Sequence, residues 1–230
     1  MSTVVILGVG GLGCPAALAI AEEAPGARLV LVDPDRVERS NLARQILFSE
    51  KDVGEAKAVA AAQRLGELVP GARVEPRVVA FTSATAAALL ADCTVLVDGT
   101  DTFEARFAAN DAACAARIPL VHGAVLGWRG QILTIVPRGG SCLRCLFEAP
   151  PPPGAVPTCA EAGVFSPLCG VVGAAMAAET GRLLRRGGPR WAARLHQWDA
   201  LHGTERDVPV PADPRCPACA VAPEAALRHP

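Results

Sequence analysis

Three glycines near the start of the chain, spaced as Gly-x-Gly-x-x-Gly, are the first residues with a chemical signature. Gly8, Gly10 and Gly13 directly follow the apolar run at residues 4–7. Such glycines allow a tight strand-to-helix turn and a close backbone approach to a phosphate, and the helix N-terminus adds a partial positive charge. Asp33 ends the next apolar run, where a carboxylate can accept hydrogen bonds from ribose hydroxyls. The pattern predicts a nucleotide site, although glycines that serve only the turn, or an NAD-dependent oxidoreductase, would also fit it.

Four cysteines form two Cys-x-x-Cys pairs that lie far apart in the sequence. Cys142 and Cys145 form the first pair, and Cys216 and Cys219 form the second. Four thiolates are the ligands of a closed, tetrahedral zinc site, while buried free thiols and a redox dithiol are the alternatives. The odd total of 9 cysteines also suits a reducing compartment better than a disulfide framework. We therefore expect a structural Zn²⁺ that ties the C-terminal tail, residues 211–230, back to the chain.

The elements that must position these residues alternate between buried strands and helices. Strands are predicted at residues 4–7, 28–32, 73–79 and 94–97. Helices are predicted at residues 14–24, 55–68, 83–91 and 103–116. This alternation predicts an α/β fold with a Rossmann-like, mostly parallel sheet. Further strand patterns lie at residues 120–123, 130–136, 194–198 and 204–210, and from 130–136 onward we expect an antiparallel extension of the sheet.

A proline-rich segment, residues 148–168, interrupts this pattern. Four successive prolines at 150–153 can neither donate sheet hydrogen bonds nor continue a helix, so we expect a long exposed crossover loop. A helix of small residues is predicted after it, at about 170–184. Because no internal repeat or second domain is evident, we interpret residues 1–230 as a single domain.

Composition and charge exclude several classes of protein. The chain has 22 basic and 23 acidic side chains, which argues against binding nucleic acid or anionic membranes through bulk electrostatics. No apolar run approaches the roughly 20 residues needed to cross a bilayer. The first strand follows Met1 almost directly, without a basic or transit-like segment. We expect a cytoplasmic protein with no nucleic-acid or membrane partner.

Several short motifs follow Asp33 in the sequence. They are DRVERSNLARQ at 35–45, GEAK at 54–57, DGTDTF at 98–103 followed by Arg106, GA at 123–124, GQI at 130–132 and TCAEAGV at 158–164. Together with both cysteine pairs, their order and spacing resemble the ThiF/MoeB/HesA family, the bacterial relatives of ubiquitin-activating enzymes. The resemblance covers nearly the whole chain. It implies adenylation of the C-terminal glycine of a small ubiquitin-like sulfur-carrier protein with a Gly-Gly terminus, using ATP and Mg²⁺ and releasing pyrophosphate.

The resemblance also implies roles for individual residues. Arg44 and Lys57 would hold the triphosphate with Asn41 beside it, and Asp101 would coordinate Mg²⁺, which prefers oxygen ligands. Charge neutralisation and positioning are what this reaction needs, because an anionic carboxylate must approach an anionic phosphate. The alternatives are that Arg44 and Lys57 are solvated surface charges and that Asp101 caps the helix that begins near Phe103.

Two positions depart from the family pattern. Relatives usually have Asn where Thr102 stands here, so an amide donor of one nucleotide contact is replaced by a hydroxyl. Relatives also usually carry a helical segment before the first strand, whose arginine enters the partner subunit's site, whereas three residues stand there in this sequence. We expect this cation to be dispensable or replaced.

Cys159 corresponds to the loop cysteine of the family, which in some members takes up sulfur or forms a covalent link to the carrier. A thiolate on such a loop could reach an acyl-adenylate, and a free thiol without a catalytic role is the alternative. His122 and the remaining histidines show no ligand spacing, and Cys14, Cys93, Cys114 and Cys169 lie in apolar or helical contexts. We expect these histidines and cysteines to have packing or surface roles.

The interpretation is therefore an adenylyltransferase for a sulfur carrier of the thiamine, molybdopterin or tRNA-thiolation type. A homodimer is expected from the family, and a separate sulfur donor is expected because no rhodanese-like domain is recognised. A non-catalytic nucleotide-binding scaffold that docks a carrier or partner is the alternative.

Overall fold

The sheet of this protein has eight strands in the order β3-β2-β1-β4-β5-β6-β7-β8. The structure is a computed structural model that describes residues 1–137, 140–152, 154–157 and 159–220, with Cys159 and Ala160 described by their backbone alone. The parallel strands are β1 (Thr3–Leu7), β2 (Arg28–Val32), β3 (Arg73–Arg77), β4 (Val95–Asp98) and β5 (Leu120–Leu126). The antiparallel extension consists of β6 (Arg129–Ile135), β7 (Arg194–Asp199) and β8 (Thr204–Pro209). The predicted fold class is confirmed.

Helices cover both faces of the sheet, which explains why the central strands are apolar throughout. In β1, Val4 and Ile6 face one hydrophobic cluster, and Val5 and Leu7 face the other. The first cluster is completed by α1 (Gly13–Glu23), α2 (Lys57–Leu68) and α7 (Ser166–Leu184), and the second by α3 (Ser83–Leu89) and α4 (Phe103–Ala116). A parallel strand buried on both faces has no polar side, so it reads as a continuous apolar run.

The segment predicted as one long loop contains more structure than expected. After α5 (Leu143–Leu146), a further short helix, α6 (Cys159–Ala162), lies inside it. Val164 forms an isolated bridge with Gly127, which lies between β5 and β6. α7 starts at Ser166 rather than near Gly170, because Pro167 occupies the first helical turn, where a missing N–H costs no hydrogen bond. The loop is therefore anchored at its C-terminal end.

Across the part of the chain that the structure describes, no helix combines the length and the apolar character that a membrane span requires.

Candidate functional site

The glycine-rich turn between β1 and α1 depends on close contacts. Gly8 has φ +77°, a left-handed conformation that glycine adopts without strain. A Cβ on Gly13 would lie 1.9 Å from the carbonyl oxygen of Gly8, so no other residue fits there. At Gly10 the nearest such contact would be Nε2 of Gln45 at 3.6 Å, which leaves ordinary space. The turn thus needs Gly8 and Gly13 for its shape, whereas a side chain at Gly10 would make only an ordinary contact.

Asp33 follows β2 and holds this turn from inside. It is 4% exposed, its Oδ2 accepts a hydrogen bond from the Val9 N–H at 2.7 Å, and its Oδ1 accepts one from the Asp35 N–H at 2.8 Å. Burial raises the pKa of the Asp33 carboxyl, and the Asp35 N–H and the Lys57 charge oppose that rise. Each carboxylate oxygen can accept a second hydrogen bond. Asp33 therefore has a structural role in the turn in addition to any contact with a ribose.

Lys57 begins α2 and is nearly buried. Its side chain is 11% exposed, and Nζ lies 2.9 Å from Oδ2 of Asp35. The alternative of a solvated surface charge is therefore wrong for Lys57. Arg44 is half-buried, and its Nη1 donates to the carbonyl oxygen of Ser40 at 3.2 Å. Both side chains contribute positive charge to the same cavity.

This cavity has a volume of about 1430 Å³ and includes the carboxyl ends of β1, β2 and β4. It brings together most of the residues predicted to bind the nucleotide: Gly8, Gly10, Asp33, Arg44, Lys57, Asp101 and Thr102. Asn41 does not line it. The Asn41 amide instead donates to the Ser40 hydroxyl and accepts from the Glu38 N–H, within its own 3₁₀ turn (Arg39–Asn41). The structure thus brings a glycine turn, a buried carboxylate and two basic side chains to one cavity that is large enough for a nucleotide.

Asp101 and Thr102 stand directly before α4. The Thr102 hydroxyl accepts a hydrogen bond from the Ala105 N–H at 3.3 Å, so Thr102 is the N-cap of α4. The alternative that Asp101 caps this helix is therefore wrong. Asp101 is exposed at the cavity, and among the described residues its carboxylate has no hydrogen-bond or ion-pair partner. An unpaired carboxylate at a cavity wall fits a hard cation such as Mg²⁺.

A buried acid–histidine pair lies just before Asp101 in the fold, and no sequence pattern predicted it. Asp98 ends β4 and pairs in register with His122 of β5. Nδ1 of His122 lies 2.8 Å from Oδ2 of Asp98, and the two residues are 1% and 0% exposed. Burial opposes ionisation of Asp98, but hydrogen bonds from His122 and Thr100 hold its pKa below its ordinary value. The pairing depends on strand register, which residue spacing along the chain does not reveal.

A second cavity, of about 840 Å³, adjoins the first. Its walls include β5, β6 and β7, with His122, Gln131 and Trp198, and the described part of the proline-rich segment. The two cavities share the residues at the start of α4, namely Asp101, Thr102, Phe107, Glu104 and Arg106, together with Val125. The end of a polypeptide chain bound in the second cavity would therefore reach the first cavity beside Asp101.

The four cysteines of the two pairs converge on one point. The Sγ atoms of Cys142, Cys145, Cys216 and Cys219 all lie within 4.8 Å of one another. The distance is 3.6 Å between Cys142 and Cys216, and 3.4 Å between Cys145 and Cys219. Sulfurs that surround Zn²⁺ tetrahedrally at about 2.3 Å lie roughly 3.8 Å apart, so the donor set and its spacing fit zinc.

The surroundings of the cluster favour the thiolate of Cys142, whereas burial raises the pKa of Cys216 and Cys219. A hydrogen bond from the Cys114 thiol lowers the pKa of Cys142 to about 4, although burial opposes this. Cys114 therefore contacts the cluster, a role that the sequence did not indicate. Arg144, inside the first pair, donates to both carboxylate oxygens of Asp111 in α4 at 2.7 Å. The Leu143 N–H also donates to Oδ1 of Asn110 in α4. The cluster is thus bound directly to the helix that begins at the cavity.

The side chain of Cys159 lies outside the described part of the structure. Its backbone begins α6, between the proline-rich segment and the bridge at Val164. Its predicted role therefore stays a prediction.

Comparison with known proteins decides the family. A family model described as ThiF family matches residues 1–218. The chain belongs to the ThiF family. Its relatives include the sulfur carrier protein adenylyltransferase of Thermus thermophilus, 45% identical over 223 residues, which cover 95% of this chain and 82% of the relative. The SAMP-activating enzyme E1 of Haloferax volcanii is 43% identical over 218 residues, covering 95% of this chain and 80% of the relative. The resemblance predicted from the motifs is confirmed.

Longer proteins also match this chain. The adenylyltransferase and sulfurtransferase MOCS3 of Anopheles gambiae is 39% identical, and the match covers 96% of this chain but 50% of that protein. The crystal structure of E. coli MccB with ATP superposes with a TM-score of 0.84 at 21% identity, covering 96% of this chain and 67% of that one. At this identity the likeness supports the architecture alone.

Proposed function

We propose that this ThiF-family chain uses ATP to adenylate the C-terminal glycine of a small ubiquitin-like sulfur-carrier protein and releases pyrophosphate. The observation that carries the proposal is the meeting of two cavities at Asp101, one with a glycine turn and two cations, the other open beside it. Relatives named sulfur carrier protein adenylyltransferase and SAMP-activating enzyme E1, at 45% and 43% identity, support the same activity. The alternative of a non-catalytic scaffold is disfavoured, because Arg44, Lys57 and Asp101 line one cavity.

The reaction requires two anions to come together. A carboxylate oxygen of the carrier attacks the α-phosphorus of ATP, a new P–O bond forms, and the bond to the β-phosphate oxygen breaks as pyrophosphate leaves. Lys57 and Arg44 reduce the repulsion between these groups, and the N–H groups of the glycine turn bind phosphate oxygens. Asp101 is the residue that would hold Mg²⁺, and the ion, when bound, would neutralise phosphate charge. Asp33 holds the turn in shape and would accept a hydrogen bond from a ribose hydroxyl.

The remaining predictions are part of the same proposal. A structural Zn²⁺ held by the four clustered cysteines would join the C-terminal segment to α4. Cys159 would serve sulfur transfer after adenylation, with sulfur supplied by a separate donor protein. From the family resemblance we also propose a homodimer, and the cysteine-rich metal site favours a reducing, cytoplasmic location.

The test is exchange of labelled pyrophosphate into ATP, which reports formation of an acyl-adenylate. We expect exchange only with Mg²⁺ and a carrier ending in Gly-Gly, tried with carriers of the thiamine, molybdopterin and tRNA-thiolation types. Asp101→Ala should abolish exchange and leave the circular dichroism spectrum unchanged, because the side chain is exposed. Glu23→Ala, an exposed carboxylate at the end of α1, is the control and should exchange like the wild type.

Three results would contradict all or part of the proposal. Exchange that needs no carrier, or oxidation of NADH instead of exchange, would exclude the activity. Full exchange by Asp101→Ala would remove the magnesium assignment alone.

A further inference from the structure

Asp98 and His122 form a buried pair that the proposed reaction does not use. Asp98 is fully buried, and each of its carboxylate oxygens is hydrogen bonded: Oδ2 lies 2.8 Å from Nδ1 of His122, and Oδ1 accepts from both the N–H and the hydroxyl of Thr100. Burying an ionisable carboxylate costs free energy even when it is paired, so a well-packed apolar pair would serve stability equally well. Stability alone therefore does not explain why this ionisable pair is present.

The hydrogen bonds of this pair connect the two cavities. His122 lines the second cavity, and Thr100 lines the first. Thr100 immediately precedes Asp101, which lines both cavities. The carbonyl oxygen of Thr100 accepts a hydrogen bond from Nε of Arg106 at 3.1 Å. Thr100 is thus bound at its N–H by Asp98 and at its carbonyl oxygen by Arg106. Among these partners, His122 is the one that fixes the Asp98 carboxylate from the neighbouring strand.

We propose that His122 is a positioning residue for the metal-binding carboxylate: through Asp98 and Thr100, it fixes Asp101 where the two cavities meet. The inference deepens the proposed function and rests on its assignment of Asp101 to Mg²⁺. Groups that orient metal ligands from behind commonly change metal affinity by about 10-fold to 100-fold when they are removed. The ring of His122 suits this task because it is rigid and is held in a strand with almost no freedom to move.

Two substitutions at this position separate positioning from packing. His122→Leu keeps the bulk of the side chain but removes the hydrogen bond to Asp98. His122→Asn restores a donor, because the amide nitrogen of asparagine can take the place of Nδ1. His196→Leu is the matched control, since Nδ1 of His196 is 2.6 Å from Oδ1 of Asp207 and His196 is 5% exposed on the same sheet, but it lines neither cavity.

The measurement is binding of Mn²⁺, a paramagnetic substitute for Mg²⁺, by electron paramagnetic resonance in the presence of a non-hydrolysable ATP analogue. We expect His122→Leu to weaken Mn²⁺ binding about 10-fold. His122→Asn should stay within about 2-fold of the wild type, and His196→Leu should bind Mn²⁺ normally even if its melting temperature falls. Where carrier-dependent exchange is measurable, the Mg²⁺ concentration for half-maximal exchange should shift in the same order.

The inference is overturned if folded His122→Leu binds Mn²⁺ like the wild type, or if His196→Leu weakens binding as strongly. If His122→Leu does not fold, His122→Phe replaces it, because a flat ring fills the space of the imidazole without a hydrogen-bond donor; normal Mn²⁺ binding by folded His122→Phe would then overturn the inference. Asp101→Ala separates the two proposals. If Asp101→Ala loses Mn²⁺ and His122→Leu does not, the positioning role alone fails; if Asp101→Ala keeps Mn²⁺, the metal assignment of the proposed function fails as well.

Discussion

The nucleotide cavity and the cysteine cluster are held together by different kinds of interaction. In the cavity, the protein supplies its own partners: Asp33 binds two backbone N–H groups, and Lys57 pairs with Asp35. In the cluster, four sulfur atoms crowd together, and thiolates at that distance repel one another unless a cation lies between them. The cavity should therefore keep its shape without a ligand, whereas the cluster should depend on its metal. Substitutions in the first should affect activity, and substitutions in the second should affect stability.

The largest expected effect on stability is at the cluster. Cys216→Ser should release the metal and lower the melting temperature by about 10 °C, which for a chain of this length corresponds to roughly 3 kcal/mol. Elemental analysis should find one zinc per chain in the wild type and none in the variant. Cys93→Ser, a half-buried cysteine outside the cluster, should keep both its zinc and its melting temperature. Freshly purified protein that has met no chelator and contains no zinc would contradict this prediction.

The cavity should show the opposite behaviour. Lys57→Met should reduce carrier-dependent pyrophosphate exchange by at least about 100-fold, because a preorganised charge facing the reacting phosphates is lost. Its melting temperature should change little, since Asp35, its partner, is 63% exposed and stays solvated. Lys51→Met is the control, because Lys51 is exposed in a 3₁₀ turn outside the cavity. A large loss of stability in Lys57→Met with intact exchange would reverse the comparison.

The smallest effect on adenylation is expected at Cys159, which belongs to neither region. Cys159→Ala should exchange pyrophosphate almost normally, because adenylation needs only a positioned carboxylate, ATP and Mg²⁺. The same variant should form less carrier thiocarboxylate when the proper sulfur donor is present. An unchanged yield would make Cys159 a loop thiol without a function, and a collapse of exchange would place the loop within the adenylation site.

The sequence predicts groups of residues that lie close together along the chain, but it does not predict contacts that depend on strand register. Gly8 and Gly13 lie within one turn, and the internal spacing of each cysteine pair is short, so these patterns identified the turn and the cluster. Asp98 and His122 meet only because β4 and β5 pair in a particular register. The sequence allows Asp101 as the cap of α4, but the hydrogen bond from the Ala105 N–H shows that Thr102 is the cap.

Two predicted features meet a local alternative in the structure. The motif predicts Asn41 beside the triphosphate; its amide completes the hydrogen bonds of its own turn, and its contact with the triphosphate stays a prediction. The prolines predict a loop that extends through residue 168, but proline at a first helical turn starts α7 at Ser166 instead. Short polar side chains and prolines have two common uses each, and sequence spacing does not choose between them.

A metal in the cysteine cluster would also cross-link two distant parts of the chain. The two cysteine pairs stand on either side of the proline-rich segment, α7, β7 and β8, so a bound metal would act as a cross-link that encloses all of them. A protease cut among the exposed prolines would then leave two fragments that stay joined, by the metal and by the pairing of β6 with β7. In the unfolded chain the same cross-link would forbid many extended conformations, so part of its stabilising effect would come from the entropy of the unfolded state.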